Sequence, residues 1–62
     1  MDWIRKTYGV PAKRGGRVEY TGQGKAVQGT ITGARNGHLL IRLDGQKHSR
    51  PYHPTWELRY PP

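Results

Sequence analysis

Apolar residues fall on alternate positions in three short runs, Val18 and Tyr20, then Val27 and Ile31, then Leu39, Ile41 and Leu43. A period of two puts such side chains on one face of a sheet. Asn36-Gly37 separates the second run from the third, and that dipeptide supplies the positive φ values that a two-residue hairpin demands. The pattern predicts five short strands, at about 16–21, 26–33, 38–43, 46–52 and 57–60. Residues 22–26 form a glycine-rich loop between the first two, and Asp44-Gly45 marks a second tight hairpin. Pro51 lacks a ladder donor, so the fourth strand is expected at an edge, ending by Tyr52. Pro54-Thr55-Trp56-Glu57-Leu58 reads as one turn of 3₁₀ helix before the last strand.

Residues 1–15 read as an N-terminal arm. Asp2 is a candidate cap for one helical turn bearing Trp3, Ile4 and Tyr8, stopped by Gly9 and Pro11. The basic run Lys13-Arg14-Gly15-Gly16 then leads into the strands as a flexible link. Residues 16–62 are the expected domain: all-β, a small five-stranded SH3-like barrel. The tail Tyr60-Pro61-Pro62 is expected to leave it as an extended end.

Composition tightens this picture. A chain of 62 residues with no Phe and no Cys buries only about 60% of its unfolded surface and lacks a disulfide staple. Either the barrel is well closed or an oligomer shares its core. The absence of cysteine fits a reducing cytoplasm. The longest aliphatic run, Leu39-Leu40-Ile41, falls far short of the roughly 20 residues that span a bilayer, and the N-terminus lacks a signal-peptide core. The expectation is a cytoplasmic protein that does not enter the membrane.

The Gly-punctuated strands Gly16-Arg17-Val18, Gly29-Thr30-Ile31-Thr32-Gly33 and Leu39-Leu40-Ile41-Arg42-Leu43 resemble the pattern of KOW-type SH3-like barrels. That resemblance implies binding of RNA or protein. The same spacing, with Tyr52, Pro54 and Leu58, is also similar to the plasmid-encoded type II dihydrofolate reductases, but Ser49-Arg50-Pro51-Tyr52 stands where their Val-Gln-Ile-Tyr active-site run would be. More loosely, the whole chain resembles small uncharacterised proteins of phages and prophages.

The formal charge is +7, with +3 in residues 1–16, +1 in 17–34, +3 in 35–50 and zero in 51–62. Arg5, Lys6, Lys13 and Arg14 form one cluster, and Arg35, Arg42, Lys47 and Arg50 the other. Arg42 alternates with Ile41 and Leu43, so it faces outward beside His38 and Leu40, with Tyr52 expected close to that face. Cations with a nearby ring suit nucleic acid, whose phosphates release counterions and whose unpaired bases stack. The candidate nucleic-acid-binding residues are therefore Arg35, Arg42, Lys47, Arg50, Tyr52, Lys13 and Arg14, with DNA and RNA both open as partners. The rival expectation is a phage-type protein-interaction module, an adaptor or an inhibitor of a host protein. Solvated charge that only maintains solubility is the plainest alternative.

His38, His48 and His53 lack metal-ligand spacing and read as surface or phosphate-facing groups, with a local hydrogen bond beside Pro54 as the alternative for His53. Ser49 is the only serine and the four acids are scattered, so neither an enzyme nor a cofactor is predicted. Trp56 is expected half in the core, with an exposed place at a ligand groove as the alternative. Trp3 has three readings: a plug for the barrel end, an oligomer seal or a partner anchor.

Overall fold

The computed structural model describes residues 1–61; Pro62, the last residue of the expected tail, lies outside the described residues. A short helix, α1 (Asp2–Tyr8), precedes strands β1 (Arg17–Tyr20), β2 (Val27–Arg35), β3 (His38–Leu43), β4 (Arg50–Tyr52) and β5 (Leu58–Arg59). All pairings are antiparallel, and the strands lie in one sheet in the order β4-β3-β2-β1-β5. No ladder joins β4 to β5 among the described residues, so the sheet is open between them.

The alternating residues line its inner face. Val18, Ile31, Leu39, Ile41 and Leu43 are buried, with Ile31 opposite Ile41 across the β2–β3 pair, while Val27 packs at the margin of this core. Gly29 sits opposite Leu43. A β-carbon there would lie 3.0 Å from the Arg42 carbonyl, the Ile41 side chain and the Leu43 side chain, so the core closes over a bare backbone.

One turn and one bulge decide the register. Asn36 and Gly37 take φ of 51° and 79°, and Arg35 pairs with His38 across them, a two-residue hairpin. β2 runs two residues beyond its expected end because Thr32 is bulged out between Ile31 and Gly33. The extra residue flips the alternation, so that Gly33 faces Leu40 and Ala34 faces Leu39. The Thr32 hydroxyl shares a 2.6 Å hydrogen bond with Ser49 Oγ, tying the bulge to the next loop.

The β3–β4 connection departs from a tight hairpin. Asp44-Gly45 does turn, with Gln46 N–H donating to the Leu43 carbonyl at 3.0 Å. Asp44 N–H, however, donates to the Gln28 carbonyl, keeping this end on β2, and β4 pairs with β3 only through residues 50–52. β4 is thus an edge strand with Pro51 opposite Leu40. Residues 54–57 form a bend instead of a 3₁₀ turn, and Glu57 adopts φ 55°. That left-handed residue is fixed through its carbonyl, which accepts Thr21 N–H at 2.8 Å and Thr21 Oγ1 at 3.2 Å.

The arm, residues 1–15, lies against the sheet. Ile4 and Ala12 are 2% and 0% exposed, within the same core as Ile41. Met1, not Asp2, is the N-cap, and it makes no side-chain cap bond. Gly9 ends the helix at φ 67°, its N–H donating to the Arg5 carbonyl. Arg5 ion-pairs with Asp2 and donates to the Ala12 carbonyl at 2.7 Å, folding the segment after α1 back on the helix. The basic link is also built in: Gly15 N–H donates to the Ile31 carbonyl at 2.7 Å, and Ile31 N–H to that of Gly16 at 2.9 Å. The radius of gyration, 10.5 Å, matches the roughly 10.6 Å expected of a compact chain of this length.

Candidate functional site

Two grooves open on the surface around β4, of about 480 and 610 Å³, within the range of small-ligand sites. The first is aromatic. Its lining includes Tyr20, Tyr52, Trp56, His38 and His53, with Glu57 as its carboxylate. Tyr52 stands opposite Leu39 and Tyr20 opposite Leu58, and the two rings meet with centroids 4.8 Å apart at 62°. Burial, helped by the Tyr20 phenol, holds the Tyr52 hydroxyl above the usual phenol range, against the opposing charge of Arg50. Trp56 is 73% exposed, so the half-core placement expected for it is overturned. The buried residue of its loop is Pro54. The Pro54 carbonyl accepts the Tyr60 hydroxyl at 2.6 Å, and burial pushes the Tyr60 phenol up to about 12.

Gly22 keeps this groove open. A β-carbon there would collide with the Tyr20 hydroxyl and the Glu57 carboxylate, which converge over it. His53 is held by its neighbours, its Nδ1 accepting the Thr55 N–H at 3.1 Å. Among the described residues, no three acidic or imidazole side chains converge as metal ligands.

The second groove lies on the outer face and is lined by Arg35, Asn36, His38, Leu40, Ser49 and Pro51. His38 and Pro51 line both grooves, so the ring-lined and the Arg-lined concavities adjoin. Arg14 reaches the same face: a β-carbon at Gly33 would lie 3.7 Å from Leu40 Cδ1 and 3.9 Å from Arg14 Nη2. Arg50 precedes Pro51 on the edge strand and is exposed.

The candidate residues are therefore gathered in part. Arg14 and Arg35 flank Leu40, Arg50 adjoins Pro51, and Tyr52 floors the aromatic groove. Tyr52 shares the inner face with Leu39, so it does not join Arg42, which faces outward opposite Thr30. Lys47 is exposed in the loop after Gly45, and Lys13 is exposed in the turn before β1, its carbonyl accepting Gly16 N–H. Neither lines these two grooves.

Arg17 is engaged elsewhere. Its guanidinium grips Asp44 with two bonds of 3.0 and 2.7 Å and also donates to Thr30 and Gln28. The Arg17 hydrogen bonds, with the charges of Arg17 and Arg42, hold the Asp44 carboxyl below the usual carboxylate range. Arg14, Arg35, Arg42 and Arg50 make no ion pair among the described residues.

Sequence reasoning offered Trp56 a ligand groove only as the alternative to a half-core place, and did not join it with His38 and His53. The available signal was the density of rings between Tyr52 and Trp56, next to prolines that forbid regular pairing. Comparison with protein-family models, with curated proteins and with solved structures finds no match to this chain.

Proposed function

We propose that this protein binds nucleic acid, mainly through phosphate, on the face where the aromatic and Arg-lined grooves adjoin. The observation that carries this reading is the junction at His38 and Pro51. It sets Arg35, which makes no ion pair among the described residues, beside exposed rings on a chain of net charge +7. Guanidinium groups neutralise phosphate and release counterions, while rings accept bases of any sequence. Binding, not catalysis, is the activity proposed.

The strand order and the packing of Tyr20 on Tyr52 support reading the sheet as an SH3-like barrel left open between its edges. The fold class does not itself define a function, so the weight rests on the grooves. A protein-interaction role would draw on the same rings, and the arginines near them favour a polyanion over an apolar partner. A cysteine-free chain supports a cytoplasmic setting.

Gel-shift titrations with single-stranded DNA, duplex DNA and RNA, at about 50 and about 200 mM salt, test the proposal. We expect retardation at low salt that weakens steeply at the higher concentration. No retardation of any nucleic acid at the lower salt would overturn it and turn attention to a protein partner.

A further inference from the structure

We propose that the ligand of this face is an unpaired strand, and that α1 supplies its second stacking platform, Trp3. This rests on the nucleic-acid reading above and extends the site beyond the two grooves.

The rings form a track. Trp3 meets Tyr8 edge-on with centroids 6.0 Å apart, Tyr8 meets His53 at 5.1 Å, and His53 meets His38 at 6.4 Å. His53 and His38 both line the aromatic groove, and so does Trp56. The track thus links an indole 60% exposed on α1 to one 73% exposed in the loop before β5. Neither indole is a core residue. Ile4 already anchors α1, so the exposure of Trp3 is not a by-product of burying the helix.

Charge orients the occupant. Glu57 is the carboxylate of the aromatic groove and disfavours phosphate near Trp56, whereas Arg35 lines the adjoining groove beside Pro51 and Arg50, opposite Ile41, shares the Tyr52 side of the edge strand. Phosphates therefore run along the arginines and bases turn toward the rings. Only an unpaired strand can do this, because a duplex keeps the faces of its bases stacked on one another. Major-groove reading has no vehicle here. α1 has seven residues with one side committed to the core, and the tip of the β2–β3 hairpin is covered by Trp3, whose ring would lie 3.3 Å from a β-carbon at Gly37.

Two single-tryptophan proteins make the test. Trp56→Phe leaves Trp3 as the emitter, and Trp3→Phe leaves Trp56. Each is titrated with oligothymidylate of about 4, 8 and 12 nucleotides, spanning the site sizes of small single-strand binders, and with a duplex of matched length. We expect the single strand to quench both indoles, Trp3 only with the longer oligomers, and the duplex to quench neither. Trp3→Ala should weaken single-strand binding by roughly 5- to 150-fold, the worth of one stacked base, without changing the salt slope. If Trp3→Ala unfolds the chain, the emission of Trp3 in the Trp56→Phe protein carries the test alone. Salt-dependent binding that favours neither strand form and leaves Trp3 emission unchanged would overturn this proposal while the phosphate reading stands. Absence of binding to every nucleic acid would overturn both.

Discussion

Tyr20 on β1 and Tyr52 on β4 pack ring against ring at 4.8 Å, although two strands separate them in the sheet. In a flat sheet three strand spacings would hold their backbones about 14 Å apart. The contact therefore reports a sheet curled until its first and fourth strands face one another, the ring pair bridging where no ladder does. The same pair floors the aromatic groove, so the curl that shapes the core also builds the candidate site.

The inner face can be tested against the outer one. Ile41 is fully buried, whereas Leu40 lies half-buried opposite Pro51. Ile41→Ala is expected to cost about 2 to 5 kcal/mol, a large share of the stability of so small a domain. Leu40→Ala should cost clearly less. Denaturant melts of the two variants check this, and equal losses would contradict the alternation.

At the hairpin tip two demands coincide on Gly37. Its φ of 79° is one that side chains rarely adopt, and a β-carbon would press on the Trp3 ring at 3.3 Å. Gly37→Val should therefore lose about 1 to 2 kcal/mol or more from the left-handed backbone alone, with further loss from displacing Trp3. Thermal melts read the first effect and tryptophan emission the second. An unchanged melt would mean a permissive loop at this position.

For the arginines, the salt dependence of binding is the discriminating quantity. Replacing Arg35 or Arg50 with Ala should weaken binding to all sequences and flatten the slope of log K on log salt by roughly 0.7 to 1 per lost phosphate contact. Lys47 and Lys13 are exposed in loops and line neither groove, and neither neighbours a lining residue as Arg50 does Pro51, so their substitution should change the slope least. Trp56→Ala should instead lower affinity at constant slope, because stacking releases no ions. An Arg35 and Arg50 double variant with an unaltered slope would remove the phosphate contacts from this face.

Tyr60 gives the fold an alkaline limit. Burial raises its phenol to about 12, from an ordinary value of 10.0. The unfolded chain thus releases this proton first as pH rises. The stabilisation tied to the protonated phenol is complete below about pH 10 and declines up to about pH 12, the folded value. Tyr60→Phe removes this contribution, along with the bond to the Pro54 carbonyl. Melts at stepped pH should show a shallower alkaline decline for the variant, and identical declines would refute the linkage.

The hairpin and the core were legible because their signals are local. Alternation and Asn36-Gly37 select β2, β3 and the inner face without reference to the rest of the chain. What escaped depends on contacts distant in sequence. Ile4 and Ala12 enter the core from a segment punctuated by Gly9 and Pro11, which resembles a loose arm until the sheet receives it. The bulge at Thr32 carries no residue signature of its own. It is held by Ser49, 17 positions away. Trp56 was misjudged because an indole beside Leu58 suggests burial, whereas the left-handed Glu57 between them separates their directions. The basic residues were identifiable by type, but their division into an Asp44-gripped Arg17 and a pair, Arg14 and Arg35, around Leu40 is a property of the curled sheet alone.

Pro51 also bears on what happens between molecules. Each border of an open sheet is a template on which another chain can add a strand. Here one border is a strand of only two residues, and the other has a proline, with no N–H to offer, at its middle position. Both borders therefore offer another chain only a short template. Pro51→Val should leave the monomer folded while restoring the missing donor, with growth of light scattering on concentration as the sign. If the variant stays as clear as the parent, the guard lies in the chain's net charge, and self-association should then follow added salt.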